Sequence, residues 1–256
     1  MIKEAIGLLD IGMESFPVLY FLSKTFKHER FIYVNDLDNM PYEGQKPEVI
    51  LGFVQKNMKR MLEQPIKLLI VGSDVIWEYA QDYLKSLEIP VINIVDSLID
   101  HVNEHYEQKN IVLLAKNAVL EANIYQKNIK YNHLYSLPSD ELEAVVLNHI
   151  TKTSKSFYTA KETLLPAIRK EIDVVLTSTP LLMLVRTEME EYLRGAEITD
   201  LVVIWEEKIK NSGCNLDEKG RGRVEVLGTT TKKHFKNSII GPNLTFKYLD
   251  LEKKNA

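Results

Sequence analysis

Ile66-Lys67-Leu68-Leu69-Ile70-Val71-Gly72-Ser73-Asp74 is a short apolar run that ends in small and polar residues. An amphipathic segment, Val75 to Leu87, follows it. A run of that length, then turn chemistry, then helical periodicity reads as a buried strand, a tight turn and a helix. In an open α/β sheet, ligands bind just beyond the carboxyl ends of such strands. The pattern recurs about a hundred residues on, as Ile172-Asp173-Val174-Val175-Leu176-Thr177-Ser178-Thr179 followed by a helix from Pro180. Two such strand ends facing one another would form a two-sided pocket.

Outward from these two stretches, apolar strands alternate with helical segments, the pattern of parallel sheets covered by helices on both faces. Strands are expected at Ala5 to Asp10, Arg30 to Asn35 and Pro90 to Val95, with helices at Ser15 to Phe26 and Pro47 to Gln64. Pro17 is tolerated in the first turn of its helix. Asp36 to Lys46 is a polar loop holding Pro41-Tyr42. The pattern then restarts: helix Asp96 to Tyr106, strand Asn110 to Ala115, and helices Val119 to Lys127, Pro138 to Ile150 (capped by Ser139) and Lys161 to Lys170. Ile172 to Leu176 is a strand, Pro180 to Gly195 a helix and Leu201 to Trp205 a further strand. Asn211 to Arg223 is a polar loop. Arg223 to Gly228, Thr231 to Asn237 and Leu244 to Asp250 give a last strand, helix and strand, and Lys253 to Ala256 a frayed tail. The expected fold is α/β, with two pseudo-symmetric doubly wound parallel-sheet domains and a ligand site between them. The first comprises residues 1–96 plus 206–256, the second 97–205.

The chain has 256 residues, 45% hydrophobic and 27% charged, with a net charge of −4. That length supports one large or two small domains, and that charge argues against nucleic acid or an anionic membrane as the main partner. Met1 to Phe16 carries Glu4 and Asp10 and lacks the apolar core of a signal peptide. No apolar run approaches the roughly 20 residues of a membrane span. The single cysteine, Cys214, permits neither an internal disulfide nor a cysteine zinc site. A reducing, cytoplasmic location is expected, so Asn243-Leu244-Thr245 reads as a chance glycosylation match.

The strand ends carry a resemblance. Asp10-Ile11-Gly12, then Ile32 to Asp36 with Pro41-Tyr42, resemble the Asp-Ser-Gly, Tyr-Phe-Gly-Asp and Pro-Tyr-Gly segments of the glutamate racemase family. Val71 to Asp74 falls where that family has Ala-Cys-Asn-Thr, Thr177 to Pro180 where it has Gly-Cys-Thr-His, and Leu227 to Thr230 near its closing Tyr-Thr-Thr-Gly. The resemblance spans nearly the whole chain. It implies two similar α/β domains with the ligand between them and a reaction that needs no cofactor and no metal. In that reaction one cysteine removes the α-proton of glutamate and a second, on the opposite face, returns a proton.

Both cysteine positions have lost their thiols. The first is Gly72, which offers no proton acceptor, and the second is Ser178. A thiol titrates near 8.5 and can be tuned to neutral pH, whereas a serine hydroxyl stays protonated without an adjacent base. The family's neighbouring histidine is replaced by Pro180. Ile11, Glu43 and Ser73-Asp74 depart from its recognition segments, and a Thr-x-x-Thr pair that holds substrate carboxylate appears as Lys116 and Val119. Asp10, Pro41, Tyr42 and Thr179 survive. Asp74 and Glu43 would oppose an anionic ligand by Coulomb repulsion, which Lys116 could offset in part.

The retained residues have two readings each. Asp10 either orients a ligand ammonium or caps the turn after the first strand. Ser73 with Asp74 is either a nucleophile with a carboxylate or a helix N-cap with an acidic first turn. Ser178-Thr179-Pro180 either binds an anion at a helix start or simply starts the helix. His101-Val102-Asn103-Glu104-His105 matches a zinc pattern but lacks an evident third ligand and reads as a solvated face. Cys214 reads as a spare thiol, Lys219 to Arg223 as a solvated basic loop and Trp205 as core.

The resulting expectation is a catalytically inactive homologue. Asp10, Pro41, Tyr42, Ser73, Asp74 and Thr179 are its candidate ligand-binding residues, and its ligand a small amino acid or anion. The alternative is an isomerase in which Asp10 or Asp74 (or Glu43) acts as base. The resemblance also implies homodimerisation and, from family members that interact with DNA gyrase, a protein partner.

Overall fold

The computed structural model describes residues 3–42 and 44–250. Two compact units divide the chain: one formed by the chain up to Ile94 with the segment from Trp205 onward, the other by Val95–Ile204.

The first unit contains β1 (Ala5–Leu9), α1 (Phe16–Thr25), β2 (Arg30–Asn35), α2 (Pro47–Met61), β3 (Ile66–Val71), α3 (Asp74–Lys85) and β4 (Val91–Asn93). Its strands are almost entirely buried, as parallel strands covered on both faces must be. Gly7 lets α2 approach β1: a Cβ there would meet Met61 Sδ at 2.5 Å. The second unit opens with α4 (Ile94–His105) and contains β5 (Asn110–Ala115), α5 (Asn117–Ala122), α6 (Ile124–Asn128), β6 (His133–Pro138), α7 (Asp140–Leu147), α8 (Ser154–Leu164), β7 (Val174–Thr177), α9 (Arg186–Tyr192) and β8 (Glu197–Ile198). From α10 (Leu201–Lys210) the chain enters β9 (Arg223–Gly228), α11 (Lys232–Ser238) and β10 (Lys247–Asp250), which complete the first unit's sheet.

The sheet orders are β10-β9-β2-β1-β3-β4 and β6-β5-β7-β8, with every pairing parallel. The pattern β2-β1-β3-β4 is thus repeated as β6-β5-β7-β8. In each sheet the chain leaves its first strand to one side and returns on the other. In open α/β sheets ligands bind at such a reversal, which here falls at the carboxyl ends of β1 and β3, and again at those of β5 and β7.

Several expected elements differ. Leu201 to Trp205 is not a strand but the start of α10. Its buried residues are Leu201, Val202, Ile204, Trp205 and Ile209, while Val203 is 60% exposed, a helical period that the apolar run alone hides. The helix expected at Lys161 begins earlier, at Ser154, where Thr153 and Ser156 form a reciprocal capping box. Val119 to Lys127 is broken by the left-handed Asn123. Ile94 and Val95 open α4 rather than close β4. Pro180–Val185 is a 3-10 turn before α9. The edge strand β6 and the two-residue β8 were not expected. β6 buries only Leu137 and ends in Pro138, which is acceptable only at an edge. Lys253 to Ala256 and Glu43 lie outside the described residues. Among the described residues no helix is long and apolar enough to cross a membrane.

Candidate functional site

At the first unit's carboxyl edge, Leu9 pairs with Val71, so Asp10 and Gly72 leave adjacent strands side by side. The Gly72 amide extends that ladder by donating to the Leu9 carbonyl at 2.9 Å. Asp10 is fully buried. Its carboxylate accepts from the amides of Ile11 (2.8 Å) and Ser15 (2.7 Å) and from the Tyr33 hydroxyl (2.7 Å). It therefore ties the β1 turn to the first turn of α1 and to β2. Burial, aided by the charge of Glu14, pushes its pKa up to about 6, against the opposing pull of the Tyr33 hydroxyl and the two amides. Burial, then Asp10 itself, holds the Tyr33 phenol well above its ordinary value.

Gly72 is not a vacancy. A Cβ built there would meet Ser15 Oγ at 2.0 Å and Ser15 Cβ at 2.9 Å. The buried Ser15 hydroxyl donates to the Gly72 carbonyl at 3.2 Å. Beyond Gly72, Ser73 is the N-cap of α3 and accepts from the Ile76 amide at 3.3 Å. Asp74 accepts from its neighbour Val75's amide at 2.8 Å. Both side chains are buried in the start of the helix.

The loop after β2 is organised by Asp36, a residue given no role of its own in the sequence reading. Its carboxylate accepts from Asn39 Nδ2 (2.7 Å), the Tyr42 hydroxyl (2.7 Å) and Asn57 Nδ2 (3.1 Å). Tyr42 is fully buried, follows the cis-bonded Pro41, and packs on Phe53. Burial, then Asp36, raises its phenol far above the ordinary value.

The second unit repeats the arrangement with different chemistry. Leu114 pairs with Thr177 and Ala115 with Pro138, so Lys116, Ser139 and Ser178 emerge from three neighbouring strands. Ser139 sits at the N-cap of α7, but its hydroxyl makes no cap bond and donates instead to Glu143 Oε1 at 2.6 Å. Thr179 likewise makes no cap bond and donates to the same oxygen at 2.8 Å. Lys116 Nζ stands 3.8 Å from Glu143 Oε2. The sequence reading missed Glu143, the residue that gathers these groups. The available signal was an acidic residue one turn before Val146, on the face of α7 that turns inward.

The remaining singled-out residues lie elsewhere. His101 and His105 stack on α4 with ring centroids 4.5 Å apart, and His105 Nδ1 shares a hydrogen bond with the His101 carbonyl at 2.9 Å. Among the described residues, no group of three or more His, Cys, Asp or Glu is placed to hold a metal ion. Trp205 is fully buried in α10. Cys214 belongs to the loop that crosses the amino edge of the first sheet. There the Asn215 carbonyl accepts from Lys67 Nζ at 2.6 Å and the Asp217 amide donates to Glu29, the residue before β2.

The two parallel-sheet α/β units, each with its strand order reversing beside the central strand, match the fold of known racemases. The chain covers 97% of itself and 98% of a glutamate racemase from Bacillus anthracis with a TM-score of 0.83 at 19% identity. Against a Thermus thermophilus glutamate racemase solved with β-chloro-D-alanine, the TM-score is also 0.83, at 18% identity over 98% of each chain. In sequence it is 26% identical to a glutamate racemase from Lactobacillus acidophilus over 206 residues, 78% of this chain and 77% of that protein. No family profile matches the sequence. The fold is that of the glutamate racemases.

Proposed function

We propose that this is a cytoplasmic glutamate-racemase-like protein that does not carry out two-base racemisation. It keeps the scaffold to bind a small amino acid or anion, or a protein partner. The observation that carries this reading is the packing at Gly72. Where the resemblance implies a thiol, the Ser15 side chain fills the space. Ser178 supplies only a hydroxyl, and each lost acid or base is worth roughly 10²–10⁴ in rate. Cys214 does not substitute, because its loop meets the opposite edge of the same sheet.

The test is α-proton exchange. L- and D-glutamate, then L- and D-aspartate, are incubated with the protein in deuterated buffer and followed by NMR. The expected result is no loss of the α-proton signal beyond the rate without protein. Exchange at about 1 s⁻¹ or faster, an ordinary enzymatic rate, would falsify the proposal.

One observation favours the alternative of a carboxylate base: Asp10, whose pKa of about 6 suits proton transfer near neutrality. Its three donors argue the other way, since they already occupy both oxygens. If exchange is seen, Asp10→Asn should abolish it. Exchange unchanged in Asp74→Asn would remove Asp74 from consideration.

A further inference from the structure

Two cavities of the first unit share the wall Asn243–Leu244–Thr245. The smaller, about 170 Å³, lies between the end of α1 and the start of β9 and is lined by Lys24, Lys27 and Arg223. The larger, about 410 Å³, lies against α11 and is lined by Lys232, Lys236 and the apolar Ile239, Leu244 and Phe246. Its volume is within the roughly 300–1,000 Å³ of small-molecule sites.

The charge is one-sided. The chain carries a net −4, yet residues 219–247 hold seven Lys and Arg against one Glu. Lys232 and Lys236 are one turn apart on α11 and share a helix face, while Lys24 lies in the last turn of α1 and Lys27 in the turn that follows it. Lys27, Lys232 and Lys236 have no carboxylate partner among the described residues. The one carboxylate lining either cavity, Glu29, is buried and already holds Lys67 Nζ at 2.8 Å. Arg223 stands 3.5 Å from Glu225 Oε2, a carboxylate it shares with the buried Arg30, so the unpaired positive charge at the cavities is that of the lysines. Like charges on the rim of a cavity that outnumber their counter-charges favour an anion inside it.

We infer that these two cavities, adjacent through their shared wall, together bind a small phosphorylated compound with an apolar or aromatic moiety, the chemistry of a nucleotide. The phosphate would lie among Lys24, Lys27 and Arg223, and the apolar part against Leu244 and Phe246 beside Lys232 and Lys236. The cations line concavities rather than a continuous track, which fits a small ligand better than a nucleic-acid strand. This inference is independent of the function proposed above, because Arg223 opens β9, and Lys24 and Lys27 lie at and just after the end of α1, at the amino edge of the sheet rather than its carboxyl edge.

The experiment is calorimetric titration of the full chain with ADP, inorganic pyrophosphate and a short oligothymidylate. ADP should bind saturably with one-to-one stoichiometry, and pyrophosphate more weakly at the same site, displaced by ADP. Lys24→Ala/Lys27→Ala and Lys232→Ala/Lys236→Ala should each weaken ADP by about tenfold or more, through lost charge-assisted contacts. The exposed pair Lys155→Ala/Lys161→Ala on α8 should leave affinity unchanged. All these lysines are exposed, and circular dichroism verifies that each variant is folded. The inference fails if neither ADP nor pyrophosphate binds saturably, or if the α8 pair weakens binding equally. It also fails if the oligonucleotide binds with a steep salt dependence that ADP does not compete away.

Discussion

A Cβ at residue 72 would stand 2.0 Å from Ser15 Oγ, so one atom of α1's N-cap residue decides what β3's end can carry. Gly72→Ala should destabilise the protein by about 1–3 kcal/mol, as overpacking of a close-packed site does. Ser15→Ala in the same chain should return part of that loss, because the nearest clash is with the hydroxyl. A double-mutant cycle from urea unfolding measures the coupling, and additive effects would show that the site relaxes freely. Asp10 gives a pH prediction at the same scale. Its folded pKa, about 6, lies above the unfolded value of 3.8. The folded state therefore holds more protons than the unfolded state between those values, and its contribution to stability falls as pH rises through that window. Urea unfolding from pH 4 to 7 should show this decline, flattened in Glu14→Gln, which removes a charge that raises Asp10. Gly72 and Asp10 were both legible in the sequence as residues at strand ends. What filled the space beside Gly72 was not, because Ser15 reaches it across the fold.

At the scale of elements, the continuous apolar strands β2, β3, β5 and β9 stand where their sequences placed them. The errors came where a short window carried two readings. Leu201 to Trp205 is rich in β-branched residues, and its alternation would bury residues 201, 203 and 205 together. The helix instead buries Trp205 fully and turns Val203 outward. Trp205→Ala should therefore cost about 3–5 kcal/mol, and Val203→Glu about 0.5 kcal/mol or less. Equal losses in thermal unfolding would restore the strand alternation. β6 was invisible for the opposite reason: an edge strand with one buried residue, Leu137, leaves almost no period to detect. The α8 start was equally concealed, because its cap is a reciprocal bond between Thr153 and Ser156 rather than an apolar signal. Thr153→Ala should cost about 1 kcal/mol by chemical unfolding.

For the whole molecule, the repeated strand order gives each unit the same reversal at its carboxyl edge, and the lone thiol stands away from the first unit's. Lys67, whose ammonium binds the loop of Cys214, precedes Gly72 by five residues on one strand. At about 3.3 Å per residue, the thiol's loop and the β3 ligand edge are separated by about 16 Å of sheet. Cys214 accepts from the Ser212 hydroxyl at 3.0 Å and is partly exposed, so a reagent can reach it. Complete alkylation with iodoacetamide should therefore leave unchanged any amino-acid binding seen by calorimetry, and any residual α-proton exchange. A two-thiol racemase would lose all its activity to the same treatment, because its base and its acid are the groups modified. If alkylation, or Cys214→Ser, abolished exchange that the untreated protein showed, the thiol would have to approach the ligand edge by a rearrangement of this loop. The ion pairs of Lys67 with Glu29 and Asp217, which pin the loop to the amino edge, oppose that movement.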